Sequence, residues 1–236
     1  MVILDELKNC TPAVSVGIVT ADMMNLASQL ECIEKAGVKL LHFDVMDGCF
    51  CPAMTFGAPF IKAVRTSMLK DVHLMIDEPL GKIEAFAKAG ADMITVHPER
   101  NSHLHRSLQL IGEMENVNNA KRGIARGLAI NPGTPLEFIR PVLGDVDMIF
   151  LLAVNPGFGR QKFIDGTRCR LEELKKMISN TGRDILVGID GGIKKENIRE
   201  ISSLGVDIIV TGSAVFDGRN PAENAKFMLQ AIKQGK

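Results

Sequence analysis

Eight short apolar runs, separated by stretches of helical spacing, restrict this 236-residue chain more than any other feature. They are Ala13 to Val19, Leu40 to Val45, Val72 to Ile76, Met93 to His97, Gly127 to Ile130, Met148 to Val154, Ile185 to Ile189 and Ile208 to Thr211. Their lengths suit strands, and the segments between them show helical patterns such as Met24-Leu26-Leu30-Ile33 and Leu171-Leu174-Ile178. Glycine closes several of those helices, at Ala36-Gly37, Ala89-Gly90 and Leu204-Gly205. Strands that alternate with helices pair in parallel through crossovers, which leaves a doubly wound sheet or a closed barrel. Eight units in a chain of this length predict an α/β fold of the (β/α)8 TIM-barrel type, with residues 1–236 forming a single domain.

The polar residues inside these runs sit at strand ends. In Leu41-His42-Phe43-Asp44-Val45-Met46, residues two apart share a face, so His42, Asp44 and Met46 point one way while Leu41, Phe43 and Val45 pack the other. Val72-His73-Leu74-Met75-Ile76 repeats the pattern with His73 and Met75, and the seventh run ends in Asp190-Gly191-Gly192. Any one of these reads equally as a satisfied polar group at a strand end. Together, two imidazoles and two carboxylates at the mouth of a barrel make a possible N2O2 metal site.

Glycine also marks the later strand ends: Gly157-Phe158-Gly159-Arg160 after the sixth, Gly191-Gly192 after the seventh, and Gly212-Ser213 after the eighth. Loops after the last two strands of such a barrel seat phosphate on exposed backbone N–H groups, so a phosphorylated ligand is expected. Lys plus Arg and Asp plus Glu number 28 each, which gives no charge bias toward nucleic acid or an anionic membrane. The five cysteines, Cys10, Cys32, Cys49, Cys51 and Cys169, form no CxxC pair and are expected to be reduced. The opening Met-Val-Ile-Leu-Asp-Glu-Leu-Lys has its acids too early for a secretory signal, and no apolar run reaches spanning length; a cytoplasmic protein is expected. The irregular stretch from Glu113 to Arg126 is expected to be an exposed loop.

The chain resembles the ribulose-phosphate 3-epimerase family. The motifs that carry the likeness are His42-Phe43-Asp44-Val45-Met46-Asp47-Gly48, Asp71-Val72-His73-Leu74-Met75, Asn131-Pro132-Gly133-Thr134-Pro135, Val154-Asn155-Pro156-Gly157-Phe158-Gly159 and Asp190-Gly191-Gly192, and they run from about Val14 to Phe216. The resemblance implies one divalent metal, usually zinc, on His42, Asp44, His73 and Asp190; by donor type manganese, iron or cobalt would also suit. It implies that Asp44 and Asp190 are the catalytic acid/base pair; Met46 and Met75, on the same strand faces, read either as a polarizable, water-excluding lining for the reacting carbon or as ordinary core filler. Phosphate would rest on Gly157 to Arg160, Asp190 to Gly192 and Gly212-Ser213. Homo-oligomers are common in such barrels. His97 carries no role in this pattern and is read as structural, and His103 and His105 as solvated.

Three positions depart from the family pattern. Gly17 stands where a sugar-contacting Ser is usual, Arg160 replaces a glycine in the phosphate loop, and Leu152 replaces a methionine. The expected reaction is 3-epimerisation of a ketose phosphate through an enediolate, D-ribulose 5-phosphate to D-xylulose 5-phosphate. The alternatives are a six-carbon ketose 6-phosphate such as D-allulose 6-phosphate, or a non-catalytic phosphosugar binder. A decarboxylase of the related barrels would need Lys in an Asp-x-Lys-x-x-Asp motif, and here Asp44-Val45-Met46-Asp47 offers methionine. Triosephosphate isomerase chemistry lacks its early strand-end Lys paired with a later Glu.

Overall fold

The computed structural model describes residues 2–234. Its eight strands are β1 (Ala13–Gly17), β2 (Leu40–Met46), β3 (Leu69–Met75), β4 (Met93–Val96), β5 (Ala125–Ile130), β6 (Met148–Leu152), β7 (Leu186–Asp190) and β8 (Ile208–Thr211). All neighbouring pairs are parallel, and β8 returns to β1 to close the barrel in sequence order. Helix α1 (Ile3–Cys10) precedes β1, and α2 (Leu26–Lys35), α3 (Ala58–Ala63), α4 (Ile83–Lys88), α5 (Leu104–Glu113), α6 (Thr167–Ser179), α7 (Ile198–Ser203) and α8 (Pro221–Gln234) form the outer layer. The connection after β5 is a run of 3-10 turns, Leu136–Asp145, because Pro141 inside it lacks the N–H that an α-helix would need.

Period-two alternation divides each strand between two cores. Leu41, Phe43 and Val45 of β2 and Val72 and Leu74 of β3 face outward and pack with Ile33, Ile61 and Ile83 of the helices. Each such side chain contributes roughly 1.5–3 kcal/mol by leaving water. The inward faces begin apolar, with Ala13, Leu40, Leu69, Met93, Met148, Leu186 and Ile208 packed on Ile3 and Leu7 of α1, which plugs the N-terminal end. Further along, the same faces turn polar at Ser15, His42, Asp71 and His73, all buried. Apolar side chains thus fill the bottom of the barrel and the chemistry is held at its top.

One inward position is kept open by close packing. A Cβ at Gly188 would lie 2.2 Å from Cε1 of Phe150, a ring that is fully buried at the barrel centre. Gly188→Ala is therefore expected to cost about 1–3 kcal/mol of stability through overpacking. Urea unfolding with an unchanged midpoint would contradict this.

Two sequence expectations need adjustment. β3 begins at Leu69, three residues before the apolar run, because Lys70 and Asp71 are buried: the Lys70 ammonium reaches the Ile61 carbonyl at 2.7 Å. The Glu113 to Arg126 stretch is half exposed and runs from the end of α5 into β5, and Asn116 within it is buried and donates to Asp92 Oδ1 and the Gly123 carbonyl, both at 2.9 Å. All five cysteines are free, Cys51 buried and Cys49 exposed. No helix among the described residues is long and apolar enough to cross a membrane.

Candidate active site

Parallel register sets the first layer of the site. His42 lies beside Asp71 and Asp44 beside His73, while β7 delivers Asp190 at its last residue. One donor atom from each of His42, Asp44, His73 and Asp190 lies within 4.8 Å of the others. The two imidazoles are about 1 % exposed and the two carboxylates 19 % and 18 %, so the acids reach open space and the histidines lie beneath them. His42 Nε2 is 3.1 Å from Asp44 Oδ1 and 3.9 Å from Asp190 Oδ2. His73 Nδ1 is 3.4 Å from Asp44 Oδ1 and 3.6 Å from Asp190 Oδ2.

These residues fit a divalent cation. His73 Nδ1 is buried and makes no hydrogen bond, although two carboxylate oxygens face it. A buried polar atom without a partner is rare unless something else binds there. Two imidazoles and two carboxylates are an ordinary donor set for a first-row divalent ion.

Electrostatics follow from the same distances. Burial by itself would depress His42, but the Asp71 and Asp44 carboxylates outweigh it and hold its pKa well above the usual imidazole value. His73 is likewise depressed by burial and raised on balance by Asp190 and Asp44. Burial raises Asp44 less than His42 and His73 lower it, so its carboxyl stays below the usual range. His97 goes the other way: burial drives it to about 4 despite its hydrogen bond to Glu99, which leaves the ring neutral.

Above the acids opens a cavity of about 230 Å³. Its wall includes Gly17, Thr20, Asp44, Phe158, Arg160, Asp190, Gly191, Gly192, Lys194, Gly212 and Ser213. An open cavity of that size suits a ligand as small as a sugar phosphate. Gly191 and Gly192 take φ of 100° and 70°, and a Cβ on Gly192 would lie 2.7 Å from the Phe163 backbone nitrogen. Both conformation and space therefore require glycine there. The loop after β6 is closed by Gln161, whose amide donates to the Asn155 and Phe158 carbonyls and accepts from the Asn155 N–H at 3.0 Å. Arg160 holds a left-handed φ of 60° in that loop.

The sequence-derived residues thus divide into three groups. Asp44, Asp190, Gly17, Phe158, Arg160, Gly191, Gly192, Gly212 and Ser213 share one cavity wall. His42 and His73 lie under it. Met46 and Met75 are register partners at the ends of β2 and β3, and neither is on that wall, nor are Gly157 and Gly159. Gly157 is instead packed against Cys51, where a Cβ would lie 2.5 Å from the cysteine Cβ. Leu152 is buried beside Asp190 in register. His97 is buried behind His73, whereas His103 is exposed and His105 meets Asp145 at the surface.

The sequence motifs assign no task to Asp71 or Lys194. Asp71 accepts from Ser15 Oγ at 3.0 Å and lies 2.7 Å from His42 Nδ1, which points Nε2 at Asp44. Its signal was present: a carboxylate two residues before His73, on the same strand face. Lys194 joins the cavity wall from the loop after β7 and had no motif to mark it.

With this geometry established, residues 13–216 match the model of the family described as Ribulose-phosphate 3 epimerase family. A ribulose-phosphate 3-epimerase of Bacillus subtilis is 43% identical over 206 residues, covering 86% of this chain and 91% of that protein. One from Synechocystis sp. is 42% identical over 214 residues, covering 89% and 90%. Among solved structures, a 3-hexulose-6-phosphate synthase from Salmonella typhimurium superposes with a TM-score of 0.70 at 16% identity over 95% of this chain and 100% of that one, a likeness of fold alone.

Proposed function

The chain belongs to the ribulose-phosphate 3-epimerase family of isomerases, and we propose that it interconverts D-ribulose 5-phosphate and D-xylulose 5-phosphate by moving a proton at C3. The observation that carries this reading is the pair Asp44 and Asp190, which alone of the four reach the cavity whose wall also holds Arg160, Lys194 and the glycine turns. A phosphate on that wall would fix the sugar with its C2–C3 unit over the two acids.

Inversion at C3 needs a base on one face and an acid on the other. Asp44, held ionised by His42 and His73, takes the C3 proton and becomes the carboxylic acid. The resulting enediolate receives a proton on its opposite face from Asp190, which becomes the carboxylate. The two acids have then exchanged states, so the reverse reaction runs through the same groups with roles swapped. A divalent ion, zinc by preference with manganese, iron or cobalt as other candidates, would be held by His42, Asp44, His73 and Asp190 and would supply fixed positive charge to offset the negative charge that develops on the sugar. Incubating the chain with D-ribulose 5-phosphate and following D-xylulose 5-phosphate by a coupled assay tests the reading; no product at any metal supplied would refute it.

Since His42 and His73 are raised above the ordinary imidazole value, protons compete with the metal already near neutrality. Affinity for zinc is expected to weaken as pH falls through that range and binding to release protons, measured by titration in buffers of different ionisation enthalpy. A pH-independent affinity would contradict it.

A second reading has its own observation. A Cβ at Gly17 would sit in ordinary contact, 3.7 Å from the Gly212 Cα and 3.9 Å from Asp44 Oδ2, so glycine leaves about one methyl group of room on the wall beside Asp44. A six-carbon ketose 6-phosphate would use that room, and the ratio of kcat/KM for the two substrates decides between them. Under either reading Arg160 pairs with the phosphate. Arg160→Gly would relieve a left-handed residue, a gain of roughly 1 kcal/mol, while losing a charged contact of about 1.5–3 kcal/mol. A KM raised about tenfold or more with unchanged folding is expected; an unchanged KM would place Arg160 away from the phosphate.

A further inference from the structure

The motif Asn131-Pro132-Gly133-Thr134-Pro135 is absent from the cavity wall, and the proposed reaction leaves it without a task. Its contacts lead toward the metal site from behind. The Asn131 N–H donates to Glu99 Oε1 at 2.8 Å, and the Thr134 hydroxyl donates to the same oxygen at 2.5 Å. Arg170 of α6 holds that loop through the Pro132 carbonyl at 2.8 Å and the Thr134 carbonyl at 2.7 Å. Glu99 Oε2 then lies 3.1 Å from His97 Nδ1, and His97 Nε2 lies 2.8 Å from His73 Nε2. His97 is wedged between the rings of Phe50 and His73, with centroids 4.5 and 5.0 Å away.

Donor and acceptor logic orders this row. A carboxylate only accepts, so His97 Nδ1 carries a proton. In the neutral ring Nε2 is then the acceptor. His73 must donate from Nε2, which in its neutral ring leaves Nδ1 as a lone pair, the atom that faces Asp44 and Asp190 without a hydrogen bond.

We propose that Glu99 and His97, anchored by Asn131 and Thr134, are positioning residues that hold His73 in the Nε2-protonated form so that its Nδ1 lone pair is presented to the metal. The role in metal binding rests on the proposed function; the tautomer does not. His42 has a shorter version of the same support, with Asp71 touching it directly. Outer hydrogen bonds of this kind fix which nitrogen binds a metal and change affinity by about 10–100-fold.

Glu99→Gln separates the role from mere packing, because it keeps the shape and reverses the polarity. Its amide oxygen stays with the Asn131 and Thr134 donors, so its NH2 turns to His97 Nδ1 and donates. His97 then donates from Nε2, and His73 is left with its proton on Nδ1. Nitrogen-15 histidine NMR of the metal-free chain in alkaline buffer reads this directly, with only five histidines to assign. In the unaltered chain His73 is expected as the Nε2–H tautomer, a measurement that needs no variant. In Glu99→Gln it is expected as Nδ1–H, with zinc bound about 10–100-fold more weakly in chelator competition. An Nδ1–H His73 in the unaltered chain, or a variant with unchanged tautomer and zinc affinity, would overturn the proposal. An unaltered chain that shows the expected tautomer yet binds no zinc would remove the metal from the proposed function and overturn the metal-presenting role, while leaving the tautomer assignment upheld.

Discussion

Asp190→Asn is expected to lower kcat by about 10²–10⁴-fold, the range that one positioned acid or base supplies, with KM little changed. Asp190 ends β7 with its carboxylate at the cavity, and the loop that follows carries Gly191 and Gly192 on the same cavity wall. Asparagine keeps the shape and one oxygen for a cation, so the site should still load with metal, but an amide can neither take nor give the C3 proton. Asp44→Asn should differ in kind. His42 Nε2 and His73 Nδ1 both face Asp44 Oδ1, so its loss weakens metal binding as well as turnover. Full activity in Asp190→Asn would remove that residue from the acid/base role.

Stripping the divalent ion with a chelator is expected to lower turnover by at least about 10³-fold, since charge stabilisation by a bound ion is worth several kcal/mol. Four donor atoms within 4.8 Å of one another include two carboxylates whose mutual repulsion only a cation or protons can offset. Restored activity on adding back zinc, manganese or cobalt would follow, and the rank order of ions would identify the preferred one. Undiminished turnover in rigorously metal-free protein would mean that protons on His42 and His73 alone neutralise the acids.

The strand ends were the most legible part of the molecule. A histidine and an aspartate two residues apart in an apolar run share a face whatever the register, so His42 and Asp44 were readable from β2 alone. Asp71 shares its face with His73 two residues on, but its task as the partner of His42 depends on Ser15 of β1 and His42 of β2, which only the closed barrel brings to it. Glu99 was further from reach. It lies past Pro98, outside any strand, and its meaning comes from a loop more than thirty positions on. Local pattern reveals which face a side chain takes, whereas partners across strands depend on closure of the barrel. The same limit separates Met46 and Met75, placed near the sugar by their strand faces, from the cavity wall on which neither lies.

The most direct test is to run the reaction in deuterated water and follow the hydrogen on C3 of D-ribulose 5-phosphate by NMR. Deuterium should enter C3 in step with the formation of D-xylulose 5-phosphate, and Asp190→Asn should slow both. Epimer formed with its original C3 hydrogen retained, or substrate bound without any exchange at all, would contradict proton transfer by Asp44 and Asp190.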